Sequence, residues 1–133
     1  MKNFLIAYGA AIVAFLVIDG IWLGLVAKDF YADNLGDLLR KDFLLLPGVI
    51  FYLMFTAGLV FLAVRPGQPD ISLLNVALHG AVVGLLAYGT YDLTNLSTLR
   101  GWSPLLSIVD MVWGTVLSAS VALSSAVCVR YFS

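Results

Sequence analysis

The 133 residues are 62% hydrophobic and 11% charged, with a mean hydropathy of +1.01, a balance that excludes an ordinary water-soluble domain. Net charge is -1, and the seven Lys and Arg stand singly or in one pair, which excludes the basic stripe that a nucleic-acid partner needs. A single cysteine, Cys128, and a single histidine, His79, exclude an intrachain disulfide and a cysteine-rich metal centre. All eight acidic residues are Asp. Five lie in connecting stretches, whereas Asp19, Asp92 and Asp110 interrupt apolar runs, where a carboxylate is expensive and marks function or inter-helix bonding.

The first apolar run, residues 4–26, is long enough to cross the roughly 30 Å hydrocarbon core as a helix. A signal peptide is the competing reading, but the run is too long, contains Asp19 and lacks a small-x-small cleavage site. Tyr8, Phe15, Asp19 and Trp22 share one helical face, which points inward because Asp19 facing lipid would cost several kcal/mol. Gly20 and Gly24, four apart, form a small-residue track suited to close helix packing. Residues 29–41 are too polar to span. Tyr31, Leu35, Leu38 and Leu39 recur at helical spacing opposite Asp33, Asp37 and Arg40, so this stretch reads as an amphipathic helix at the interface, closing the connection or lying as a lid over a site.

The second span, residues 43–64, carries Pro47 in its first turn, where a missing N–H costs little. Its hydroxyls, Tyr52 and Thr56, read as packing groups with local hydrogen bonds. Arg65-Pro66-Gly67-Gln68-Pro69-Asp70 is a turn signal. The third span, residues 72–96, brings a second glycine track, Gly80 and Gly84, for which the Gly20/Gly24 helix is the expected partner. His79 reads as a neutral imidazole bonded between helices. It cannot pair with Asp92 on a continuous helix, since 13 residues place the two roughly 20 Å apart on opposite faces. The fourth span, residues 104–129, has an inward stripe of Ser107, Asp110, Gly114, Ser118 and Ser125. Cys128 is a small apolar residue here. Lys and Arg are balanced between the two sides, and Lys2 gives only a slight preference for cytoplasmic termini.

Depth connects these elements. Asp19, Asp92 and Asp110 each lie roughly 6–10 Å inside the same membrane face. Tyr88 and Asn95 flank Asp92 on its helix, and Trp22 and Trp113 each follow an acid by three residues, on the same face. Asp19, Trp22, Tyr88, Asp92, Asn95, Asp110 and Trp113 are therefore expected to line one pocket, with Arg100 of the third connection as the nearest cation to fold over it. Three readings compete. One is a structural network that joins helices. Another is a pocket for a lipidic or apolar small molecule. The third is a proton or cation path. No nucleophile-base pair, phosphate-cradling loop or metal-ligand spacing appears, so catalytic residues and cofactors stay unassigned.

Asp19 with Trp22-Leu23-Gly24-Leu25-Val26-Ala27, Tyr91-Asp92-Leu93-Thr94-Asn95-Leu96 with Thr98-Leu99-Arg100-Gly101-Trp102, and Val109-Asp110 with Trp113-Gly114-Thr115-Val116-Leu117-Ser118 resemble the bacterial membrane-protein family known as domain of unknown function 2177. The resemblance covers nearly the whole chain. It implies a small multi-pass protein of the bacterial inner membrane, and it implies no activity, cofactor or catalytic residue.

The expected fold is all-α: one membrane domain, residues 1–133, of four transmembrane helices and a short interfacial helix between the first two. The expected function is binding or processing of a lipidic or apolar small molecule, with Asp92 and Asp110 as the central polar pair. The alternatives are an accessory or structural subunit and a proton or cation transporter. Lipid surrounds such a chain, and because four helices enclose little volume, a homodimer that completes the pocket is the oligomer to test for.

Overall fold

The computed structural model describes residues 1–68 and 70–132, and every regular element among them is a helix. α1 spans Lys2–Ile21 and runs on through a wider turn, Trp22–Val26, in which Ala27 N–H bonds the Trp22 carbonyl five residues back. α2 spans Lys28–Leu35, and a single tighter turn, Gly36–Leu38, follows it. α3 spans Leu45–Leu59 and ends in a second wide turn, Val60–Val64; α4 spans Leu73–Thr98 and α5 spans Pro104–Phe132. With their extensions, Lys2–Val26, Leu45–Val64, Leu73–Thr98 and Pro104–Phe132 are long and apolar enough to cross a membrane. Leu, Val, Ile and Phe side chains are exposed along all four, which is the outer surface that lipid requires.

Local chemistry sets the ends. Ser72 caps α4 through its Oγ, which accepts from Asn75 N–H at 3.1 Å, and Ser103 caps α5 by accepting from Leu106 N–H at 3.0 Å. Pro104 then occupies the first position of α5, where its missing N–H costs nothing. Gly36 has φ +52, a conformation that ends α2 well before residue 41, so the amphipathic helix is shorter than its pattern suggested. Tyr31 and Leu35 still face the bundle, whereas Leu38 and Leu39 are exposed.

α5 is the central helix. Its eleven buried residues, from Leu106 to Val129, form one stripe of single residues and adjacent pairs three or four positions apart, and include Ser107, Asp110, Gly114, Ser118 and Ser125. The most extensive pairing is α4 with α5, followed by α1 with α5. Gly80 and Gly84 seat this pairing against α5: a Cβ on Gly84 would fall 2.3 Å from the Gly114 carbonyl and 2.5 Å from Ser118 Oγ. The expected partner was the Gly20/Gly24 track, and that expectation is corrected. Gly20 and Gly24 are exposed, with no neighbouring atom within 4 Å of an added Cβ. The face of α1 that packs inward is instead Ala7, Ala11, Phe15 and Asp19, fastened where Ser125 Oγ donates to the Ala7 carbonyl at 2.7 Å.

His79 is a second correction. It is exposed on α4, and its Nδ1 lies 2.9 Å from the Asn75 carbonyl of its own helix. A carbonyl only accepts, so Nδ1 carries the proton, and the bond is local and not between helices. α4 is continuous, which keeps His79 away from Asp92.

The interior has two storeys. Toward the chain ends, Ala7, Ala11, Leu59, Val60, Ala63, Val76, Leu117, Val121 and Ala122 form an apolar core. Above Phe15 and Phe55, toward α2, the interior becomes polar and opens into a cavity.

Candidate functional site

Each acid enters this upper storey from a different helix, placed there by the apolar register beneath it. Asp19 follows buried Phe15 by one turn of α1, Asp92 follows Tyr88 by one turn of α4, and Asp110 precedes Gly114 by one turn of α5. All three are buried and line one cavity of about 460 Å³.

Asp19 is fully engaged. Its Oδ2 accepts from the Tyr52 hydroxyl at 2.6 Å and its Oδ1 from Trp113 Nε1 at 3.0 Å. Asp110 Oδ1 accepts from the Tyr31 hydroxyl at 2.6 Å, and that hydroxyl in turn accepts from Trp22 Nε1 at 3.1 Å. The indoles of Trp22 and Trp113 stack with centroids 4.3 Å apart and planes within 9°, so the two relays lie side by side. Burial and donation to Asp110 push the Tyr31 hydroxyl well above the ordinary phenol range. It therefore serves as a donor at neutral pH. α2 is thereby held over the site, and Ser103 Oγ, donating to Asn34 Oδ1 at 2.8 Å, gives it a second attachment to the start of α5. Tyr31 and Leu35 of this helix line the cavity.

Asp92 behaves differently. It is 0% exposed, and neither carboxyl oxygen has a hydrogen-bond partner. It lines the cavity with Asp110, whose carboxyl lies close enough that a proton on either acid would bridge the two; with both ionised, Asp92 has no donor. Around the pair stand Tyr88, Tyr91 and Trp102. Gly101, at φ +77, turns the loop so that Trp102 folds back onto Tyr91, edge to face at 5.5 Å, and donates through Nε1 to Ser107 Oγ at 3.0 Å. Glycine is needed at that backbone angle.

Of the residues singled out from the sequence, Asp19, Tyr88, Asp92, Asp110 and Trp113 line the cavity. Trp22 stands behind Trp113 and reaches the cavity wall through Tyr31. Asn95 and Arg100 are not among the lining residues, and Arg100 is exposed. Tyr31, Tyr52, Tyr91 and Trp102 line the cavity without having been expected there. Tyr52 read as a packing residue, but only Thr56 makes the local bond, donating to the Tyr52 carbonyl at 2.5 Å. Extending the depth comparison from carboxyls to phenols finds Tyr52, which lies about 12 Å inside the same face. Trp102 was signalled by the glycine before it. A larger hollow, about 660 Å³, lies at the opposite end of the bundle beside Met1, Phe61 and Arg65, and none of the three buried acids lines it.

Chemically the cavity offers hydrogen-bond acceptors on carboxyls, flat aromatic walls and apolar patches from Leu23, Phe51, Ala87 and Leu106. Among the described residues no group of three or more His, Cys, Asp or Glu is placed to hold a metal ion.

Comparison with protein families gives a match over residues 4–127 to the family described as "Predicted membrane protein (DUF2177)". The match covers nearly the whole chain, which belongs to this family of multi-pass membrane proteins. No curated protein and no solved structure matches it.

Proposed function

We propose that this DUF2177 member, a multi-pass protein of the bacterial inner membrane, binds a lipidic or otherwise apolar small molecule in the cavity beneath α2. One observation carries the reading. Three carboxyls from three helices converge on a space of about 460 Å³, and the most completely buried of them, Asp92, has only the carboxyl of Asp110 beside it and draws no hydrogen bond from a hydroxyl, indole or backbone N–H. A network serving only to join helices consumes its polar groups, because a buried unpaired one costs about 1–3 kcal/mol or more. Asp19 follows that rule and Asp92 does not; Ser118 Oγ, in the α4–α5 seam, is also unpaired, but only Asp92 lines the cavity. The volume falls within the range of small-molecule sites, and the mixture of apolar walls with a few polar groups is typical of them.

Mass spectrometry of small molecules co-purifying in mild detergent tests this. The expected result is one dominant apolar species in the wild type, strongly depleted in Asp92→Asn. Equal amounts in both proteins count against the proposal.

A second reading, an accessory subunit of a membrane complex, draws on the exposed pair Gly20 and Gly24, since small residues left open on a spanning helix suit a partner helix. It predicts a protein partner lost on Gly20→Leu and retained on Asp92→Asn, the reverse of the ligand result.

A further inference from the structure

The hydrogen-bond inventory of the cavity narrows the ligand class. Asp19 accepts two bonds, from Tyr52 and Trp113, and Asp110 accepts one, from Tyr31. Asp92 accepts none through either oxygen. Neutral donors, the hydroxyls of Tyr88 and Tyr91, already line the space, so what the three carboxyls lack is a positive charge. Among the described residues neither lysine nor arginine lines it. Tyr88, Tyr91, Trp102 and Trp113 present aromatic surface to the same space, and ring faces attract cations, the more so away from water.

We propose that the cavity is a site for a primary ammonium group carried on an apolar chain, as in an alkylamine or an amine-headed lipid. The inference rests on the small-molecule reading and names its ligand class. Asp92 is the principal acceptor of the ammonium N–H groups, with the nearby carboxyl of Asp110 as a second. The aromatic walls flank the charge, and the chain lies along Leu23, Phe51 and Ala87. A primary ammonium has three N–H donors and a charge. A neutral alcohol has one donor and no charge. A quaternary ammonium has charge without N–H donors, and a fatty carboxylate brings a like charge to three carboxyls.

The test is native mass spectrometry of the full chain, released from neutral detergent, titrated with four probes that share one chain: dodecylamine, dodecanol, dodecyltrimethylammonium and dodecanoate. One dodecylamine per chain is expected, bound about tenfold or more tighter than dodecanol or the quaternary probe, an amount equal to one charge-assisted hydrogen bond. Dodecanoate is expected to bind weakest. Asp92→Asn, which conserves shape, is expected to bring amine and alcohol to equal affinity, and Asp110→Asn serves as the second variant should the first not elute as a monodisperse species. The wild-type series decides without either. Dodecanol or the quaternary probe matching the amine overturns the inference and leaves the pocket reading standing, as does an amine preference retained in Asp92→Asn. Failure of every probe to bind overturns both. Competition by added phosphatidylethanolamine identifies a lipid amine as the source of the headgroup, and its absence identifies a free alkylamine.

Discussion

Tyr31 shows how much one side chain contributes to the polar storey. Its hydroxyl accepts from Trp22, donates to Asp110 and belongs to the helix that covers the cavity. Tyr31→Phe keeps the ring and removes both bonds. A hydrogen bond to a carboxyl is worth about 1.5–3 kcal/mol when the acceptor is charged, so a drop in thermal stability of that order is expected, with looser attachment of α2. Accelerated hydrogen exchange confined to Lys28–Leu35 is the measurement that checks it, and exchange unchanged there would show that Asn34 and Ser103 alone hold the lid. The sign of any pH effect follows from the raised pKa of Tyr31: the donor is present at neutral pH and below, and its contribution is lost only as alkali titrates the folded hydroxyl. Among residues, the sequence made the acids legible because a carboxylate inside an apolar run stands out. The phenols were less legible, since a tyrosine at an interface or within a span has an ordinary packing role as well.

Helix pairing is decided by which small residues meet backbone. Gly84 opposes the Gly114 carbonyl, and a Cβ on Gly114 would fall 2.2 Å from the ring of Tyr88. The close approach of α4 and α5 thus sets the position of Tyr88, and through it one wall of the cavity. Gly84→Leu is expected to disrupt folding outright, as loss of monodisperse protein in size-exclusion chromatography. Gly20→Leu is expected to leave the isolated chain intact, because nothing lies near that position. Equal damage by both, or by neither, would contradict the packing described here. Both glycine pairs have the same four-residue spacing, so spacing alone could not tell which one packs. The distinction lies in the neighbour: α5 presents Gly114, Ser118 and Ala122 to Gly80 and Gly84, while α1 turns its alanines inward and its glycines out. The same limit applies to the third connection. Arg100 was prominent as a cation, yet Gly101 sends Trp102 into the bundle and leaves Arg100 exposed.

Across the whole molecule, composition fixed the class and depth located the polar storey. The four spans follow from lengths that match a bilayer, and the five helices appear in the expected order. What the depth comparison could not supply was the hydrogen-bond pairing, which depends on helix rotation: Asp19 turned out to be satisfied by Tyr52 and Trp113 while Asp92 was not. That asymmetry is what the proposed ligand would resolve, and filling the cavity tests the proposal most directly. Ala87 lines the cavity on α4, one turn before Tyr91, without taking part in the carboxyl bonds. Ala87→Phe occupies the space and leaves every acid in place. The co-purifying small molecules of wild type and variant, quantified by mass spectrometry at matched yield and thermal stability, are the measurement. A bound apolar species in the wild type that is lost from Ala87→Phe is predicted; equal loads in the two proteins, including none in either, would contradict the account.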